Sequence, residues 1–212
     1  MKPETETAER PRDVLEYERQ FWGRGRSVAG VDEVGRGPLA GPVVAAAVVL
    51  PEGTSVEGAD DSKVLTAAQR LELFDRIRIA ATHIGVGAAS VREIDRRNIL
   101  RATTVAMKRA LDRLPVRPDH VVVDGLPVKY LGWEHDAVVD GDALVHSIAC
   151  ASIVAKVIRD RLMVRLAVRY PGYAWDRNVG YGTPEHLAAI DQLGVTPHHR
   201  LTFTGLQFEL EI

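Results

Sequence analysis

Apolar residues recur along this chain in two kinds of register. Residues 27–31 and 42–50 are β-branched and alanine-rich runs separated by the glycine-rich stretch 35–41, and they predict two strands joined by a tight connection. Residues 82–89 alternate as a strand does, residues 120–124 form a compact apolar strand ending in an acid, and 137–139 form a shorter one also followed by acids. Helical spacing marks the rest. Thr66 and Gln69 stand at capping-box distance and predict a helix start; Ser90 and Glu93 repeat that signal and open a helical region running to about Leu114. From Ala143 to Tyr170 apolar positions recur at helical spacing until Pro171-Gly172 stops them. Thr183-Pro184 and Thr196-Pro197 each predict an N-cap with proline in the first helical position. Residues 13–22 predict a short amphipathic helix, and the polar, acidic residues 1–12 a disordered tail. Strands first, then alternating helices and strands, predict an α/β fold with a mixed central β-sheet flanked by helices. A small helical C-terminal portion, roughly 171–212, completes it. With no repeat, low-complexity tract or linker, residues 13–212 read as a single domain.

Composition narrows the function classes. The lone cysteine, Cys150, excludes a disulfide framework and a cysteine-based zinc cluster, so a cytoplasmic location is expected. The N-terminus lacks the pattern of a signal peptide, and no apolar run nears the ~20 residues that span a bilayer. No membrane partner is therefore expected. The chain carries 27 basic and 29 acidic residues, a formal charge of -2. A dedicated non-specific nucleic-acid binder is normally basic, so any polyanion must meet a local patch. Arg96, Arg97, Arg101, Lys108 and Arg109 offer one, mixed with an ordinary solvated helix face.

The acids sit at informative places. Asp32 and Glu33 interrupt the apolar run 28–31, Asp124 ends 121–123, and Asp140 and Asp142 follow 137–139. A single Asp at a strand end is usually turn chemistry. Several of them suggest convergence at one sheet edge, where carboxylates repel unless protonated or neutralised by a cation. Mg²⁺ or Mn²⁺ with oxygen ligands is the usual resolution, and such sites polarise phosphoryl oxygens. Asp32 is the strongest case, because a charge inside an apolar strand is costly unless paired. Neighbours in a strand face opposite sides, so Asp32 and Glu33 are expected to share a site only if the strand bends, which Gly35 permits.

The stretch Gly35-Arg36-Gly37-Pro38 has the wrong spacing to Gly41 for a dinucleotide fingerprint, and no helix signal follows it. It is either a plain turn or a loop whose backbone approaches a ligand closely enough to read a sugar hydroxyl.

Together these residues resemble the ribonuclease HII family. The resemblance rests on Val31-Asp32-Glu33-Val34-Gly35-Arg36-Gly37-Pro38 with Leu39-Ala40-Gly41-Pro42, then Asp61-Ser62-Lys63-Val64-Leu65 and Glu93-Ile94-Asp95 with Asn98-Ile99-Leu100. Val123-Asp124-Gly125, Gly141-Asp142, Ala151-Ser152-Ile153-Val154-Ala155-Lys156 with Arg159-Asp160, Gly180-Tyr181-Gly182-Thr183 and His198-His199-Arg200 follow in the family's order. It covers roughly residues 28–203 and implies a ribonuclease H-like fold and an endonuclease cutting 5′ to a ribonucleotide. The implied substrates are RNA/DNA hybrids and DNA with embedded ribonucleotides. Asp32, Glu33, Asp124 and Asp142 match the catalytic carboxylates that hold two Mg²⁺ or Mn²⁺ ions. Gly35, Arg36 and Gly37 match the loop reading the 2′-hydroxyl, and Tyr181 the tyrosine packed on the neighbouring deoxyribose. Ser62 and Lys63 are implied phosphate or junction contacts, Lys156 lies on the helix lining the site, and Asn98, His199 and Arg200 are implied to touch the duplex backbone. As a zinc pair, His198-His199 lacks further ligands at suitable spacing.

Two departures stand out. Asp140 occupies a position where the family usually has lysine, which leaves Asp140 and Asp142 competing for one ligand role, with the spacing from Asp124 favouring Asp142. Gln207-Phe208-Glu209-Leu210 faintly resembles a sliding-clamp peptide without its closing aromatic, so a weak clamp contact stands as an expectation beside a plain packing segment. A monomer is expected. Rival readings are a nuclease of the HIII type, against which the short tail before Val28 speaks, a non-catalytic duplex-binding module, and a nucleotide-binding α/β enzyme.

Overall fold

The computed structural model describes residues 13–59 and 65–203. Its strands are β1 (Val28–Val34), β2 (Val43–Val49), β3 (His83–Ala89), β4 (His120–Asp124) and β5 (Asp136–Val138), in one sheet ordered β3-β2-β1-β4-β5. β1 to β3 form an antiparallel meander, while β4 runs parallel to β1 and β5 parallel to β4. The sheet is mixed, as the strand-then-helix pattern predicts. β2 is buried along its whole length, which explains its unbroken Val/Ala run: a strand covered on both faces has no polar side to alternate with.

Eight helices surround it among the described residues: α1 (Glu16–Trp22), α2 (Ala67–Ala80), α3 (Val91–Arg97), α4 (Ile99–Asp112), α5 (Gly141–Leu144), α6 (His146–Arg169), α7 (Trp175–Asn178) and α8 (Pro184–Leu193). α4 covers one sheet face, packing Ala102, Ala106, Met107 and Ala110 on Val31, Ala45, Val121 and Val123. α6 and α2 cover the other, with Cys150, Ala151, Phe74 and Ile77 on Ala46 and Val48. α6 lies against β1 so closely that a Cβ on Gly30 would fall 2.2 Å from the Ser147 carbonyl carbon. None of these helices is long and apolar enough to cross a membrane.

Both capping boxes form as their spacing predicts, at Thr66/Gln69 and Ser90/Glu93. Three expectations need correction. The helical region after Ser90 is two helices, because Asn98 adopts φ 72° and ends α3 while its side chain caps α4 through Arg101 N–H. The long stretch after Ala143 is likewise divided at Val145, whose extended backbone separates α5 from α6. Thr196-Pro197 starts no helix. It makes a turn in which Thr196 N–H donates to His199 Nδ1, and His199 bridges to Ala40. Residues 1–12 and 204–212, with the expected tail and the clamp-like segment, lie outside the described residues.

Candidate active site

The parallel pair β1 and β4 brings its carboxyl ends to one edge of the sheet. Register sets Val31 opposite Val123, so Asp32 and Asp124 are the next residues on adjacent strands. Asp124 is anchored by the Gly141 N–H at 2.7 Å, which ties β4 to the start of α5, and α5 carries Asp142. Asp32, Glu33, Asp124 and Asp142 thereby line one cavity of about 390 Å³, together with Arg70, Ser152, Lys156 and Tyr181. Placement separates Asp140 from Asp142. Asp142 is buried in this cavity, whereas Asp140 is exposed in a left-handed turn before α5 and lies off the cavity wall.

The expected bend in β1 is absent, since its ladder to β2 runs unbroken through Asp32, Glu33 and Val34. Strand alternation instead puts Asp32 on the α6 face, beside Ser152, and Glu33 on the α4 face. They share a site because both stand past the last β1–β4 rung, Val31 with Val123, where β4 ends. Glu33 and Asp124 also line a second cavity, about 570 Å³, with Arg36, Asn98, Arg101 and Tyr130 on its walls. The carboxylates thus sit where a pocket opens into a groove.

Burial dominates the electrostatics. It pushes the Asp32 carboxyl well above the ordinary range, with Glu33 and Asp124 adding repulsion, against the hydrogen bond from Ser152 and the Glu33 N–H at 2.7 Å. Burial also raises Glu33, opposed by the Arg36 guanidinium 3.2 Å away. Asp32 and Glu33, which resist ionisation, are groups that a divalent cation would neutralise, and oxygen donors suit Mg²⁺ or Mn²⁺. Among the described residues no three His, Cys, Asp or Glu side chains stand close enough together to hold a metal ion by themselves. An open wall fits ions that keep several waters and take substrate oxygens as ligands.

The glycine loop, residues 35–42, joins β1 to β2 along one side of this cavity. Gly35 adopts φ +90°, and a Cβ there would fall 2.1 Å from Arg159 Nε. The loop docks on the turn before α8 through Leu39 and Ala40 N–H, both donating to Gly180 O, and the Tyr181 ring stands next to Gly37. The loop leads into a strand, not a helix N-terminus, which removes the support for a nucleotide-binding reading.

The chain matches the model of the family described as "Ribonuclease HII" over residues 29–206. It is 58% identical to the ribonuclease HII of Thermosynechococcus vestitus over 193 residues, 89% of each chain. The chain belongs to the ribonuclease HII family. Among solved structures, the ribonuclease H2 of Pyrococcus horikoshii superposes with TM-score 0.73 at 29% identity, covering 85% of this chain and 95% of that one. The ribonuclease HII of a PCNA:RNase HII complex from Archaeoglobus fulgidus superposes with TM-score 0.71 at 25% identity, covering 87% and 98%. The fold is ribonuclease H-like and the chain is a ribonuclease H endonuclease.

Within this ribonuclease HII, other expected contacts fall in different places. Lys156 lines the acid cavity, paired with Asp160 at 3.0 Å. Asn98 lines the groove. Ser62 and Lys63 lie outside the described residues. His199 and Arg200 need correction: they are 1% and 0% exposed, so neither can touch a duplex backbone. His199 belongs to an internal ring cluster, and Arg200 lies beneath the glycine loop. Of the basic helix residues, Arg109 is held by Glu93 and Lys108 by Asp112, while Arg101 lines the groove over the Tyr130 ring. The sequence reading assigned no role to Arg70 or Ser152. Their position on helices gave no sign of which face would meet the acids.

Proposed function

We propose that this ribonuclease HII hydrolyses the phosphodiester bond 5′ to a ribonucleotide in RNA/DNA hybrids and in DNA with embedded ribonucleotides. Asp32, Glu33, Asp124 and Asp142 would hold two Mg²⁺ or Mn²⁺ ions. Those ions, when bound, supply Lewis-acid polarisation of the phosphoryl group and a water that ionises near neutral pH. The chain's own contribution is to hold four carboxylates at one sheet edge, with Ser152 and the Gly141 N–H orienting two of them. Arg36, Arg70, Asn98 and Lys156 line the same walls as hydrogen-bond donors for phosphate oxygens. The loop at Gly35, Arg36 and Gly37 contacts the ribose 2′-hydroxyl, and Tyr181 packs on the adjoining sugar. Water adds to phosphorus as the bond to the 3′-oxygen breaks, giving a 3′-hydroxyl and a 5′-phosphate.

The observation that carries this reading is that Glu33 and Asp124 line both the acid cavity and a second cavity bearing Arg36, Asn98 and Arg101. The deciding experiment is incubation of a labelled DNA duplex carrying one ribonucleotide with Mg²⁺, Mn²⁺ or EDTA. One metal-dependent cut 5′ to the ribonucleotide is expected. Hybrid binding with no cut by either metal would leave a duplex-binding module instead. The proposed enzyme works in the cytoplasm as a monomer. A weak sliding-clamp contact through Gln207-Phe208-Glu209-Leu210 has support from the Archaeoglobus complex with PCNA; deleting residues 205–212 should abolish clamp binding, and no binding by the intact chain would remove the idea.

A further inference from the structure

Two arginines are completely buried, Arg159 on α6 and Arg200 after α8, and neither makes an ion pair among the described residues. A buried cation without a carboxylate is costly unless every donor is satisfied. Here most of the donors are satisfied by one loop. Arg159 donates to Pro42 O at 3.0 Å, Ala40 O at 3.1 Å and Val179 O at 2.9 Å. Arg200 donates to Gly41 O from two nitrogens, at 3.0 and 2.8 Å, to Arg36 O at 2.8 Å and to Gly35 O. The carbonyls of residues 35, 36, 40, 41 and 42 are thus all drawn inward. The N–H groups of Gly35, Arg36 and Gly37 donate to no acceptor among the described residues, and Arg36 and Gly37 are exposed. Gly35 is buried, so the loop leaves the N–H groups of the exposed Arg36 and Gly37 for an oxygen of a hydroxyl or phosphate, with two guanidinium charges behind them that Asp95 and Asp160 offset only from a distance.

We propose that Arg159 and Arg200 are positioning residues for ribose recognition, holding the loop's carbonyls inward so that its amides face the junction nucleotide. This rests on the reading that the loop contacts the 2′-hydroxyl. The planar guanidinium fork is what spans several carbonyls at once. A lysine keeps the charge but, as a compact point donor, cannot bridge residues 35, 36 and 41 together.

The test measures binding in the Asp124→Asn background, so that no substrate is cut. Affinities for a duplex with one ribonucleotide and for its all-DNA twin are compared by fluorescence anisotropy. The parent should prefer the ribonucleotide duplex. Arg159→Lys and Arg200→Lys, each checked for a cooperative melt, should lower that preference at least about tenfold, as losing a well-placed donor does, with little change toward all-DNA. A folded lysine variant that keeps the parent's preference overturns this inference alone. A parent with no preference overturns the hydroxyl-reading loop and the inference with it. If neither variant folds, or both duplexes lose affinity equally, the arginines merely hold the fold and the proposal fails.

Discussion

Asp124 shows how one side chain can do two separable jobs. One carboxylate oxygen accepts the Gly141 N–H, and the group also lines both the acid cavity and the groove. Asn keeps an acceptor oxygen but halves the donor set for a cation. Asp124→Asn should therefore leave Tm within about 2 °C, since less than about 1 kcal/mol is at stake in a chain of this size. Cleavage should fall more than about 100-fold, beyond what loss of an outer-shell metal partner costs. Normal turnover by the folded variant would reject the assignment. Gly35 fails differently. Its φ of +90° costs about 1–3 kcal/mol for any other residue, and a Cβ would meet Arg159 Nε at 2.1 Å. Gly35→Ala should lower Tm by several degrees and cut ribonucleotide-duplex cleavage while Mn²⁺ binding, followed by calorimetry, persists; lost Mn²⁺ binding would mean that the loop supports the acids directly.

Elements built on local signals were legible in the sequence, and those built on distant contacts were not. The Thr66/Gln69 and Ser90/Glu93 boxes form because both partners lie within one turn. The turn at Thr196-Pro197 is fixed by a bridge from His199 to Ala40 that no local spacing announces, whereas the break at Asn98 is itself local, a positive φ with the side chain capping Arg101 N–H. The site divides the same way. Acids closing apolar strands could be recognised one by one, whereas Arg70, Ser152 and the bracing Arg159 belong to helices whose facing only the packing decides. The start of α6 shows an element completed from afar. It has no side-chain cap of its own, and the buried Glu18 of α1 accepts the Ser147 N–H at 2.8 Å in that role. Glu18→Ala should cost about 1–2 kcal/mol, as cap losses do, or roughly 2–8 °C in Tm. Burial raises this carboxyl above its usual 4.5, so the folded state binds the extra proton. Its contribution is then complete below about pH 4.5 and declines as pH rises through the folded value. Glu18→Gln, always neutral, should gain Tm relative to the parent as pH increases; a constant difference from pH 4 to 8 would contradict this.

At the scale of the whole molecule, the sheet supplies the acids while a separate aromatic cluster holds the turn on which the glycine loop docks, and acid should loosen the second before the first. Trp175 Nε1 donates to His186 Nε2 at 2.9 Å, His186 Nδ1 stands 2.8 Å from Tyr181 O, and His199 Nε2 stands 3.1 Å from His186 Nε2. Thr196 N–H donates to His199 Nδ1, so His199 carries its proton on Nε2 and His186 on Nδ1. Every ring nitrogen is committed in the neutral state. An added proton would have to displace Thr196 or turn His186 against Trp175. Burial accordingly holds His199 down to about 4 and lowers His186 from its usual 6.5. In the unfolded chain both rings take protons below about 6.5, so the unfolded state binds more protons and stability is lost as pH is lowered. The contribution is complete above pH 6.5 and drains away toward pH 4. Tm should drop across that window, and a His199→Gln variant, though less stable at pH 7.5, should show a shallower decline. Because Tyr181 and Gly180 connect this cluster to the loop, the preference for a ribonucleotide duplex should fade with the same midpoint. A parent melt flat from pH 6.5 to 4, or a His199→Gln slope equal to the parent's, would show that these rings do not govern the acid response.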